Sequence, residues 1–387
     1  MTILSSRDKK EAMSGTAELV LRQVRVFNQG RWQEADLYLA GGKIAAVLPA
    51  GADGPRAGKT LELKGRIASP GWVDLHAHVL PLRFGGIGTW PEKIGLRTGV
   101  TALLDVGTSG AKNFPRFHER IISRSKTPIY ALLNIKAHGI RVTRLGRETE
   151  PDVDFEAMAE VQERYPELIK GIKVTASQEH MLVNDPILYV KLAREAGDRL
   201  GLPLMVHFGR TPPELAEILP LMKKGDLLTH VLRDGGHTIM NKSGEIREEV
   251  RAAQARGVRF DVGHGVASFS FAVAEQALRQ GFDGYSISSD LYLLSRPYRV
   301  RTFANVLSKF LAIGMPLEQV LERASVRPAE WLGLSRGLET GAEATLTILR
   351  LEQGRFKFRD CWNRLRIADE RIVPELSVLQ GEIIACS

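Results

Sequence analysis

Cysteine is almost missing from this chain: 387 residues contain only Cys361 and Cys386. Two thiols near one end allow no disulfide framework and no Cys-x-x-Cys zinc or redox motif. Any metal must therefore be held by nitrogen and oxygen. Apolar runs long enough to span a membrane are lacking too. Residues 1–15 are polar and charged, without the apolar stretch of a signal peptide. The sequence thus predicts a cytoplasmic protein with a loose leader over residues 1–15 and no membrane partner. No single-sign charge block dominates either: the net charge of +8 arises from basic residues interspersed with acidic ones. The densest basic run, Arg355-Phe356-Lys357-Phe358-Arg359, alternates strictly and reads as a strand with one solvated face. Nucleic acid is not an expected partner.

What is present is a change of rhythm along the chain. Residues 17–69 carry short alternating segments such as Glu18–Arg22, Ala35–Leu39, Lys43–Val47 and Thr60–Lys64. Gly41-Gly42 and Gly51–Pro55 punctuate them, as in an antiparallel sheet. From His76 onward, apolar runs of strand length recur with room for one helix between them. They are Val100–Leu104, Ile129–Ile135, Leu168–Val174, Leu204–His207, Leu227–His230, Val258–Val262 and Tyr285–Ser289. Together with the run before His76 they suggest an α/β fold, a (β/α)8 TIM barrel over residues 70–337. Alternation returns after about residue 337, at Ala344–Leu349, Arg371–Val373 and Glu382–Ile384. Neither end has strands enough to bury a core alone, so residues 16–69 and 338–387 are expected to meet as one small β-sandwich domain.

The stretch Gly71-Trp72-Val73-Asp74-Leu75-His76-Ala77-His78 ends an apolar run with two imidazoles spaced i, i+2. Side chains two apart on a strand share a face, so His76 and His78 form a candidate metal pair. Chemistry in a barrel sits at the C-terminal ends of the strands, and titratable groups recur there. Lys173 lies inside strand four, His207 ends strand five, His230 ends strand six, strand seven runs into His264, and Asp290 ends strand eight. A lysine buried in an apolar strand loses its charge readily. The neutral amine can take up carbon dioxide as a carbamate, which supplies oxygen ligands.

In that order, His76-x-His78, Lys173, His207, His230 and Asp290 resemble the amidohydrolase superfamily, in its binuclear subtype with a carboxylated lysine. Supporting phrases are Ala68–His76, Gly99-Val100-Thr101, Arg327-Pro328-Ala329 and Leu332-Gly333-Leu334. Within the superfamily the chain is similar to the dihydroorotase-like deacetylases, which hydrolyse acetyl amides or esters of small α-substituted carboxylic acids. Leu80 stands where a dihydroorotase would carry arginine, and no tyrosine occurs between Val174 and His180, where a hydantoinase would carry one shortly after the lysine. Cyclic-amide hydrolysis is therefore the alternative, with a non-catalytic relative or a serine hydrolase weaker still. The resemblance implies two divalent metals, expected to be zinc. His76, His78 and Asp290 would hold one, His207 and His230 the other, and carboxylated Lys173 would bridge them. It further implies Asp290 as the general base and acid. Donors for the substrate carboxylate are sought in His264, Gly265, Ser268, Arg233 and His138, with Arg141 as a further candidate. A homo-oligomer is compatible with the sequence.

Overall fold

The computed structural model describes residues 16–140, 152–178, 185–235, 237–282 and 284–387. The predicted leader and Arg141 lie outside the described residues. Strands β1 (Ala17–Asn28), β2 (Arg31–Ala40), β3 (Lys43–Pro49), β4 (Ala57–Glu62) and β5 (Ile67–Pro70) open the described chain. Seven parallel strands follow: β6 (Trp72–Ala77), β7 (Val100–Gly110), β8 (Ile129–Asn134), β9 (Ile169–Ala176), β10 (Leu204–Phe208), β11 (Leu227–Thr229) and β12 (Arg259–Asp261). Strands β13 (Leu346–Arg359), β14 (Leu365–Leu379) and β15 (Glu382–Ala385) end it.

Helices fill the intervals between the parallel strands where the sequence shows helical spacing. Phe155–Arg164, Pro186–Leu200 and Phe271–Arg279 are three of them. Asp154, Asp185 and Ser270 cap their N-termini, each side chain accepting from a backbone N–H of the first turn. Gly201 ends the second helix in the left-handed conformation.

The parallel strands form a (β/α)8 barrel whose eighth staff is irregular. Tyr285–Asp290 makes no continuous ladder, yet it joins both edges of the seven-stranded sheet. Tyr285 N–H donates to the Phe260 carbonyl at 2.7 Å and His264 N–H to the Ser288 carbonyl at 3.1 Å. On the other side, Asp290 N–H donates to the His76 carbonyl and His78 N–H to that of Leu291. The segment is polar because its serines bond aspartates rather than solvent. Ser286 and Ser288 hydroxyls donate to Asp261, and the Ser289 hydroxyl and N–H donate to Asp74.

Both termini share one hydrogen-bonded sheet, ordered β15-β14-β13-β5-β1-β2-β3, with β4 beside β1. The junction is short: Leu346–Leu349 of β13 pairs antiparallel with Ile67–Pro70 of β5. Leu21, Val26, Leu37, Ala68, Leu346, Ile348 and Val378 are buried together on its core face. Hairpin β13–β14 runs far beyond the expected segments 344–349 and 371–373, because its outer half alternates polar and apolar residues with one face in water. The basic run 355–359 is strand, as expected, and the Arg371 guanidinium stacks 4.6 Å from the Phe356 ring.

Candidate metal centre

A cavity of about 200 Å³ opens at the C-terminal ends of the parallel strands, and His76, His78, Lys173, His207, His230 and Asp290 all line it. The barrel brings together six residues spread over more than half of the chain. One ligand atom from each of His76, His230 and Asp290 lies within 4.8 Å of the other two. Asp290 Oδ1 stands 3.6 Å from His76 Nε2 and 3.4 Å from His78 Nε2. The His207 and His230 rings are 4.1 Å apart, centre to centre.

Hydrogen bonds fix which imidazole nitrogen faces the cavity. Thr229 donates its hydroxyl proton to Asp261 Oδ2 at 2.7 Å, and His76 Nδ1 lies 2.9 Å from the same oxygen, Thr229 Oγ1. With its proton committed, that oxygen accepts, so His76 carries its proton on Nδ1 and presents a lone pair at Nε2. The arrangement is repeated at His78: Nδ1 lies 2.7 Å from Thr108 Oγ1, whose proton goes to Asp105 Oδ2 at 2.8 Å. His230 Nδ1 donates directly to the Gly263 carbonyl at 2.7 Å. Burial, reinforced by nearby charges including Lys173, holds His76 and His230 well below the usual 6.5. Both are therefore neutral near pH 7, the form that binds a metal.

Lys173 is buried and its Nζ has no hydrogen-bond partner among the described residues. Burial outweighs the attraction of Asp290, Asp261 and Asp105 and brings the amine down to about 8. Gly107 makes room for it: a Cβ there would sit 2.7 Å from Lys173 Cβ, and the backbone φ of 79° disfavours any side chain. His230 and Asp290 also have left-handed backbones, with φ of 72° and 51°. Such strain at non-glycine residues clusters at functional sites. A buried amine without such a partner, set among imidazole lone pairs and a carboxylate, fits a divalent ion held by nitrogen and oxygen.

The expected carboxylate donors fare differently. His264 is fully buried behind the site. Its Nδ1–H donates to the Gly265 carbonyl at 2.8 Å, its Nε2 accepts from Lys309 at 2.8 Å, and its ring stacks on Phe269. It does not line the cavity, and neither does Ser268. Arg233 is buried and donates to the Phe208 carbonyl at 3.1 Å. His138 is half-buried, does not line the cavity and pairs with Asp152 at 2.9 Å. None of these four lines the cavity, an outcome of packing that spacing could not reveal. Gly265 keeps a place beside the chemistry, since a Cβ there would lie 2.4 Å from Asp290 Oδ2.

Sequence reasoning passed over Lys136, Asn134 and Tyr292, all of which line the cavity. Lys136 follows β8 by two residues, and Tyr292 follows Asp290 by two, so the strand-end logic used for His78 could have found them. A Gly-x-Ser-x-Gly pattern does occur, at Gly333–Gly337, but it lies beyond the last barrel helix and outside the cavity. It forms no strand-to-helix elbow.

No protein-family model matches the chain. A deacetylase of Agrobacterium fabrum is 36% identical over 376 residues, covering 93% of this chain and 89% of that protein. A deacetylase of Enterococcus faecalis is 33% identical, covering 88% and 92%. The solved structure of a dihydroorotase superposes with a TM-score of 0.84 at 32% identity, covering 95% of this chain and 98% of that one.

Proposed function

Because the chain belongs to the amidohydrolase superfamily, among its deacetylases, we propose that this hydrolase removes an acetyl group from a small carboxylic acid acylated on an α nitrogen or oxygen. The observation that carries this reading is Lys173, buried without a hydrogen-bond partner among the described residues in a cavity walled by four histidines and Asp290. His76, His78 and Asp290 would hold one divalent ion, His207 and His230 a second, with carboxylated Lys173 between them and zinc as the metal suited to this donor set. When bound, such ions polarise an acyl carbonyl and lower the pKa of water.

The chain's own residues do the rest. The Asp–Thr relays hold His76 and His78 in one tautomer and orientation. Asp290 is the proton carrier: it accepts at a carboxylate oxygen from the attacking water and returns the proton to the departing nitrogen or oxygen. Gly265, lacking a Cβ, does not crowd Asp290 Oδ2. Lys136, whose ammonium also lines the cavity, takes the role of gripping the substrate carboxylate.

Metal analysis of the purified protein and a screen of acetylated amino acids and hydroxy acids test this reading. About two divalent ions per chain and turnover of an acetyl carboxylate are expected. Lys136→Met should raise KM for that substrate by about tenfold or more, while hydrolysis of its uncharged amide analogue changes little. Faster opening of dihydroorotate or a hydantoin than of any acetyl substrate would overturn the deacetylase reading.

A further inference from the structure

The alternating basic run of β13 takes no part in the metal centre. In the structure it faces the barrel across a second cavity of about 190 Å³, which shares no lining residue with the first. Arg299, Arg301, Lys309, Lys357 and Arg359 line it, and among the described residues no carboxylate does. Among the described residues Arg301 and Lys357 form no ion pair. Arg299 and Arg359 bond only the neutral oxygens of Asn363, at 2.6 and 2.9 Å. Asp360, the acidic group beside the cluster, is buried and already accepts from the N–H groups of Phe271, Trp362 and Arg364.

Lys309 forms the floor. It is 1% exposed and donates to the Arg299 carbonyl at 2.7 Å and to His264 Nε2 at 2.8 Å. As an ammonium it keeps a third N–H with no acceptor among the described residues. Burial first, then the charges of Arg299 and Arg301, push it down to about 7 against the opposing pull of Cys361 and Asp360. Like charges gathered in a recess without a counterion raise the free energy of the empty site, and an anion there lowers it. A wider cleft continues from the recess past Arg355 and Arg371, so there is room for more than one phosphate-sized group.

We propose that this recess, between the β13 strand and the 298–309 segment of the barrel, binds a small phosphate-bearing anion of several charges, of the diphosphate type. Arg301 and Lys357 grip it from opposite walls and Lys309 meets it at the floor. Guanidinium and ammonium donors together suit clustered phosphate oxygens better than a single carboxylate.

The test is calorimetric titration of inorganic pyrophosphate into the metal-loaded enzyme, with Arg301→Glu, Lys357→Glu and the control Lys242→Glu, an equal charge change on a remote exposed loop. Saturable binding at one per chain is expected, about tenfold or more weaker in the first two variants and unchanged in the third. Acetyl-substrate turnover should be the same in all four proteins. Equal weakening in all three variants would make the effect one of net charge. Unaltered binding in Arg301→Glu and Lys357→Glu would move the anion to the metal centre. Either result overturns the proposal. So does a single-stranded oligonucleotide that binds more tightly than pyrophosphate through the same two residues, which would make the face a nucleic-acid site.

Discussion

Thr108 and Thr229 each give a hydroxyl proton to a buried aspartate and take one from an imidazole, which turns two ordinary threonines into the parts that aim His78 and His76. Thr108→Val keeps the shape and removes both bonds. Metal affinity should fall by roughly 10- to 100-fold, the usual cost of losing such an outer partner, as measured by chelator competition. Asp290 separates differently, because it serves as ligand and as proton carrier. Asp290→Asn retains an oxygen but cannot accept a proton, so turnover should drop by roughly two to four orders of magnitude while metal content stays. Near-normal turnover with metal bound would remove Asp290 from the proton path. Lys173→Ala should lose metal and activity together, and short carboxylic acids added to the solution should restore part of both. The titratable residues of this set could be read from the sequence, because strand ends are where a barrel keeps its chemistry. Their threonine and aspartate partners could not, since Thr108 and Thr229 read as plain strand residues until folding sets them beside an imidazole.

Elements show where periodicity stops being informative. Strands β8 to β10 match the apolar runs closely, because strands covered on both faces are largely apolar, while β7 runs on past the expected Leu104 through Asp105, Thr108 and Ser109 to Gly110. The eighth staff is legible only as a short run, and its serines are explained by Asp74 and Asp261, which lie on β6 and β12. Helix Phe303–Ala312 illustrates the reverse: its Lys309, a charged residue, is buried against His264. Its buried amine has a pH signature. Below about 7 Lys309 is charged in both states and the burial penalty is at full size. Between about 7 and its unfolded value of 10.5, unfolding takes up a proton, so stability from this group returns as pH rises. Thermal melts should therefore show wild type gaining on Lys309→Met across that interval and not below it. Parallel curves would mean that Lys309 titrates normally.

At the scale of the whole molecule, barrel, terminal sheet and metal centre form one structure. Ile372 N–H donates to Ser308 Oγ at 3.0 Å, and a Cβ on Gly99 would lie 2.7 Å from Pro374 Cβ, so hairpin β13–β14 packs directly on the barrel. Stripping the metal should lower the melting temperature of the entire chain in one transition, because ions that bind only the folded state stabilise it by mass action. Calorimetry before and after exhaustive chelation checks this, and an unchanged melt would mean that the ligand set holds no ion. By itself the sequence determined the alternation of strands and helices, the barrel, the meeting of both ends, and the six residues facing the cavity. These follow from periodicity and from groups too costly to bury without a purpose. Only the tertiary structure decided that both ends join in one hydrogen-bonded sheet rather than a sandwich, that His264, Arg233 and His138 do not line the cavity, that Lys136 does, and that a run of basic residues on β13 meets arginines from the barrel. Each of these depends on which surfaces meet across long stretches of chain. A linear pattern records how far apart residues are in sequence, and it holds no record of which face of a distant element they will oppose.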